Sequence, residues 1–454
     1  MIGNLSIDEF AAILHANISP TSPIQSEEHL VGRAKQLQQV AQALYAPGRT
    51  IFIYGERGVG KTSLAQTVAY SHQSSTRDPI LLACTPETTF TGLLREALAH
   101  LQNGKRNAST TAHNIKVGIK GFGVEYGRNR HEEIVPEINA SADLNSVANA
   151  LIEAAEARRD EKTVVVVDEF DRITSDTERA HFADFIKQLG DQKIPIRFVF
   201  CGVAESLQKL LGAHGSCYRY LESIELKTLS YDARFEIIDN AAKALSVVVD
   251  SRPRYRIAAI SDGFPHYIHR MCENLFWQIY NDPVVCTSPT GNHYREAVAQ
   301  SVMGIEQHLR QTYDKAVMKD APGYEEVLWA VADRGDLIRR TDDIYDSYLK
   351  MMESAEGGEG GVLDRQAVMA KLNSLKGKSC ASILMSNRKG YYQFHEGIMR
   401  GYVRLRAEER GCELALEYSA GTTSTPTSTF RPRVARRGRF GTRPADRKKL
   451  EQPE

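Results

Sequence analysis

The stretch that most restricts the fold is Thr50–Val68, where a short apolar run, a glycine-rich turn and a helical sequence follow without a gap. Ile51, Phe52, Ile53 and Tyr54 read as a buried parallel strand, and the residues from Ser63 onward as a helix. Between them stands Gly55-x-x-x-x-Gly60-Lys61-Thr62, the spacing of a phosphate-binding loop. Gly55, Gly58 and Gly60 allow backbone conformations that a side chain would forbid. The N–H groups of Glu56, Arg57, Val59 and Ser63 can then turn toward phosphate oxygens. Lys61 is expected to bring a point charge to the β- and γ-phosphates and Thr62 a hydroxyl to Mg2+. The helix N-terminus adds a favourable dipole. A nucleotide is the ligand such a strand, loop and helix imply.

At 454 residues the chain is long enough for about three domains. No apolar run approaches the ~20 residues of a membrane helix, and Met1–Phe10 lacks the basic start and apolar stretch of a signal peptide. The seven cysteines form no C-x-x-C pair, which fits buried thiols in a reducing compartment better than disulfides or a zinc site. The expectation is a cytoplasmic protein with no membrane partner. Net charge is zero but unevenly spread: residues 418–454 carry nine basic side chains, from Arg431 to Lys449, against three acidic ones. That segment is also rich in Thr, Ser, Pro and Gly, so it reads as a disordered basic tail.

Residues 1–28 read as a peripheral extension with a short amphipathic helix around Ile7, Phe10 and Leu14. Val31-Gly32-Arg33 forms a turn before a helix and allows the backbone to approach an adenine ring. Pro79–Cys84 reads as a second strand, followed by a helix to Leu101. Residues 115–130 alternate about Gly121 between basic flanks, the pattern of a hairpin, either a basic finger or an insertion packed on the core. Thr163–Asp168 holds four consecutive valines, a strand buried on both faces, and ends in Asp168-Glu169. There Asp168 is placed to hold Mg2+ and Glu169 to polarise the attacking water. Ile194–Gly202 and Ser223–Leu226 read as further core strands, with Arg219 just ahead of the last. The rest is helix-rich to about residue 350. Two short helices at 363–375 and 381–385, a wing strand at 390–395 and a final helix at 396–409 follow.

Together Val31-Gly32-Arg33, Gly55–Thr62, Val164–Glu169, Arg219 and Gly263-Phe264-Pro265 resemble the AAA+/STAND group of P-loop ATPases, near the origin-recognition branch. The resemblance implies an α/β P-loop core of parallel sheet and helices at 29–230, with 115–130 as an insertion. A helical lid at 231–305, a winged-helix-like domain at 306–415 and the tail at 416–454 would follow. It also implies ATP as substrate, Pro265 at the nucleotide, and Arg219 as an arginine finger acting in trans in an ATP-dependent oligomer. The alternative for Arg219 is a surface ion pair with Glu222 or Glu225. Two departures point to slow turnover: Cys201-Gly202 stands where a polar sensor is usual, and His266 where the AAA+ lid carries an arginine.

Two functions follow as expectations. In one, the ATPase switch acts on DNA or RNA through the winged helix and tail. In the other, a STAND-type switch recruits a separate effector protein without nucleic acid. No nuclease, protease or zinc motif accompanies either.

Overall fold

The computed structural model describes residues 2–74, 77–103, 144–158, 160–213, 215–317, 322–354 and 361–414. The hairpin expected at 115–130 and the basic tail lie outside the described residues. Helix α1 (Ile7–Asn17) comes first, capped by Ser6 and Glu9 in a reciprocal box, and α2 (Ala34–Tyr45) leads into the sheet.

The first half is built on strands β1 (Thr50–Tyr54), β2 (Ile80–Ala83), β3 (Thr163–Asp168), β4 (Ile196–Gly202) and β5 (Leu221–Glu225). All pair in parallel in the order β2-β3-β4-β1-β5. The helices between them are α3 (Lys61–His72), α4 (Phe90–Asn103), α5 (Leu144–Glu156), α6 (Asp176–Gln192) and α7 (Ala204–Ala213). The valines of β3 explain the layering. Val164 and Val166 face the core shared with α2, α3 and the second half, whereas Val165 and Val167 face a separate core under α4 to α7. A strand covered on both sides needs an unbroken apolar run, because successive side chains point to opposite faces.

The second half begins with α8 (Tyr231–Ala244), α9 (Ser251–Ile260), α10 (Pro265–Tyr280) and α11 (Gly291–Met303). Helix α1 belongs with them and is not peripheral. Phe10 is fully buried, stacked on Tyr280 at 4.3 Å and edge-on to Trp277. After it come α12 (Gln307–Val317), α13 (Tyr324–Ala332), β6 (Arg339–Arg340), α14 (Thr341–Ser354), α15 (Arg365–Leu375), β7 (Leu384–Met385), β8 (Tyr391–Phe394) and α16 (Gly397–Glu409). Strands β6, β8 and β7 make a small antiparallel sheet. Residues 381–385 are therefore a turn and a strand, not the expected helix. Ala381 and Ser382 both take positive φ, which breaks helical geometry before Ile383.

One ionic cluster fixes α16 to the helices before it. Asp262 is buried and accepts from Arg400 at 2.6 Å and Arg404 at 3.1 Å, both also buried. Burial alone would raise this carboxyl, but the two guanidinium groups hold it below the usual carboxylate range. Arg256 and Glu408 form a second buried pair, to which Tyr294 donates its hydroxyl at 2.7 Å.

Candidate functional site

Strand β1 delivers the chain to the carboxyl edge of the sheet, and Gly60, in the left-handed region at φ 96, turns it into α3. A side chain in that conformation would be strained, which is the reason for glycine there. Lys61 folds back over the loop, donating from Nζ to the carbonyl oxygens of Gly55 (3.1 Å) and Glu56 (2.8 Å). Burial pushes its ammonium below the ordinary lysine range, so its charge is poorly hydrated and favours an anionic ligand.

The acidic strand end meets the loop as the spacing requires. Thr62 Oγ1 donates to Asp168 Oδ2 at 2.6 Å although the two are 106 positions apart. A hydroxyl and a carboxylate brought together in this way are hard oxygen donors, which suit magnesium. Glu169 takes positive φ (54°) and ends β3. Its side chain is half exposed and pairs with Arg172 at 3.1 Å. Beneath the loop Cys201 is fully buried, its Sγ 3.8 Å from the Lys61 carbonyl oxygen. Burial pushes its thiol well up, so it stays protonated and resembles a small apolar filler more than a polar sensor.

Around this centre the structure gathers most of the other expected residues. Arg33 is buried, donates to the Val59 carbonyl at 2.9 Å and is pushed down to about 10 by burial. It braces the loop from behind. Val31 and Gly32 lie in the same turn, with Gly32 pressed against Ala233 of α8. Pro265 opens α10 and lies about 4.0 Å from where a Cβ of Gly60 would stand. His266 points Nδ1 at the Pro20 carbonyl (3.1 Å).

Sequence reasoning missed two neighbours. Residues Ser19–Gln25 run from α10 to α3: the Ser19 N–H donates to His269 Nδ1 (3.3 Å) and the Ile24 N–H to Ser63 Oγ (3.2 Å). Helix α16 also begins on the phosphate loop. Ile398 lies over Gly58, where a Cβ would come within 2.7 Å, and a Cβ on Gly397 would sit 1.9 Å from Glu56 Oε2. Burial, then the nearby Asp262, raises the Glu56 carboxyl. Nothing in the loop motif itself encodes a partner some 340 positions away.

Arg219 stands apart from this group. It precedes β5, whose first residue Leu221 pairs with Thr50 at the start of β1, so it lies at the opposite end of the strands from its own loop. Neither acidic neighbour holds it: Glu222 pairs with Arg49 at 2.8 Å and Glu225 with Lys227 at 3.4 Å. A second cluster of cations lines a groove between α14, α15 and the β7–β8 turn. Arg340, Arg365, Lys376 and Lys389 stand there beside Tyr391 and Tyr392, with Asp342 among them paired to Arg365 at 2.6 Å and to Arg340 at 3.5 Å. No helix among the described residues is long and apolar enough to cross a membrane.

Residues 29–199 match the AAA ATPase domain family. No curated protein matches the sequence. Among solved structures, the Walker-type ATPase PABY2304 of Pyrococcus abyssi is similar at 14% identity, covering 84% of this chain and 98% of that one, with a TM-score of 0.49. The ORC2 protein of Aeropyrum pernix is similar at 10% identity over 88% and 98% of the two chains (TM-score 0.47). Cdc6p of Pyrobaculum aerophilum is similar at 16% identity over 87% and 98% (TM-score 0.43). That family match covers the phosphate loop, strands β1 to β3 and Asp168, so residues 29–199 form an AAA ATPase domain built on the parallel sheet.

Proposed function

We propose that this ATPase is a nucleotide-gated switch that acts on nucleic acid. The observation that carries the reading is the contact of α16 with the phosphate loop. It joins the site of ATP turnover to the body that bears the basic groove. In that body the order α13, β6, α14, α15, β7, β8 supports a winged-helix-like reading, with α15 and the β7–β8 turn lining the cationic groove. Such a groove suits phosphate contacts, which position a duplex without reading its bases.

At the nucleotide end, Lys61 and the loop amides would bind the β- and γ-phosphates, with Val31 to Arg33 and Pro265 around the base. Magnesium, held by Thr62 and Asp168, would neutralise charge on the phosphate oxygens. Glu169, released from Arg172, would take a proton from water as that water attacks the γ-phosphorus, giving ADP and phosphate. Arg219, unpaired with its acidic neighbours and remote from its own loop, would serve the site of an adjacent copy in an ATP-dependent oligomer.

The test pairs turnover with binding. Glu169→Gln is expected to keep ATP bound and slow turnover by roughly 10²-fold or more. Duplex DNA affinity across a salt series, with ADP and with a non-hydrolysable ATP analogue, reads the groove. Arg365→Glu or Lys376→Glu should flatten the log–log salt slope by about 0.9 for each phosphate left without its cation. Salt-independent behaviour toward both DNA and RNA, unchanged by these substitutions, would leave the switch with a protein effector instead.

A further inference from the structure

Arg57, the third residue of the loop, carries a charge that the general phosphate-loop chemistry does not require. Its guanidinium crosses from the loop to the turn after β3, where Nη2 pairs with Asp171 Oδ2 at 3.1 Å. These two elements are the ones that bring Lys61, Thr62, Asp168 and Glu169 together. The hydrogen bond that Arg57 donates to Asp171 raises the Arg57 pKa, and Glu396 and Glu169 also contribute. Its own charge in turn lowers that of Lys61. The cation therefore lies within electrostatic reach of Lys61 on one side and Glu169 on the other.

That position is informative. Lys61 belongs to the β- and γ-phosphates and Glu169 to the water beyond them, so the γ-phosphate must lie between the loop and the end of β3. The Arg57 head spans that same gap. It is also loosely held: the arginine side chain is 65% exposed. Among the described residues, Asp171 is its one hydrogen-bonding side-chain partner and Arg57 is that of Asp171. Asp171 is only 15% exposed, but with the guanidinium end in water the pair contributes little, so the arginine can exchange the carboxylate for a phosphate oxygen. A guanidinium also offers the forked donors that phosphate accepts best.

We propose that Arg57 is a γ-phosphate ligand acting within its own subunit, parked on Asp171 when the γ-phosphate is absent. It thereby makes the site discriminate ATP from ADP. The proposal rests on reading residues 55–62 as the nucleotide site, and its test separates the two. Binding of ADP and of a non-hydrolysable ATP analogue is measured by titration calorimetry on the full chain, for wild type, Lys61→Ala, Arg57→Ala, Arg57→Lys and Asp171→Asn.

Arg57→Ala is expected to weaken the ATP analogue by roughly ten- to a hundredfold, the scale of a hydrogen bond to a charged group, with ADP unchanged. Arg57→Lys should recover part of the loss. Asp171→Asn, which frees the guanidinium, should strengthen the ATP analogue by up to about fivefold and again leave ADP alone. Equal weakening of both nucleotides in Arg57→Ala, or no change in either, overturns the proposal and leaves a surface ion pair. Unchanged binding of both nucleotides in Lys61→Ala would overturn the site reading itself, and the proposal with it.

Discussion

The nucleotide end of the sheet and the junction between α10 and α16 are both built from charged side chains, but they are built to opposite ends. At the nucleotide end Lys61 rests on backbone carbonyls, while Arg57 pairs with Asp171 and Glu169 with Arg172, each pair having at least one side chain about half exposed or more. At the junction Asp262, Arg400 and Arg404 are each at most 5% exposed. Pairs of the first kind contribute about 0–1 kcal/mol each and can exchange partners freely. Breaking one of the second kind leaves an uncompensated buried charge, at a cost of about 3–5 kcal/mol. In the proposed switch this contrast is a division of labour: side chains that would leave their partners for nucleotide are held weakly, and those that would transmit the change are held rigidly.

The largest effect should come from cutting the rigid side. Asp262→Ala leaves Arg400 and Arg404 buried without a counter-charge and should cost about 3–5 kcal/mol in urea denaturation. A somewhat smaller effect is expected from acid. His269 is buried and held neutral, pushed down to about 4 by burial and then by His266. An unfolded histidine titrates near 6.5, so between pH 6.5 and 4 the unfolded chain takes up a proton that the native state refuses. Stability contributed by this group is complete above pH 6.5 and falls by about 3 kcal/mol as pH drops toward 4. His269→Asn should flatten that part of the stability profile. The smallest effect belongs to the nucleotide end: Arg172→Ala should change stability by less than about 1 kcal/mol. A loss from Arg172→Ala as large as that from Asp262→Ala would erase the contrast.

What can be read from sequence is local or strictly periodic. Gly55–Thr62 and the valines of β3 carry their own geometry, and Asp168 falls at the strand end that Thr62 meets. Residues 381–385 read wrongly as helix because a short apolar run has no period to separate helix from strand. The extension reads as peripheral because Ile7, Phe10 and Leu14 show an apolar stripe but not the surface that buries Phe10 and Leu14. Arg57 is legible as a loop residue, but its partner is not. The 114 positions between it and Asp171 are bridged only once β1 and β3 share a sheet. The approach of α16 to Glu56 lies further still beyond any local signal.

The seating of the first helix also has a consequence for how the protein is made. The Leu5 carbonyl accepts from the Tyr280 hydroxyl 275 positions later, and Ser19 meets His269 after 250. At synthesis rates of about 5–20 residues per second, Phe10, Leu14 and Ile18 emerge roughly 12–50 s before their partners exist. Through that interval the apolar stripe is exposed on the nascent chain. It is open to chaperones or to a neighbouring chain, and α1 can be covered only once α10 has been made.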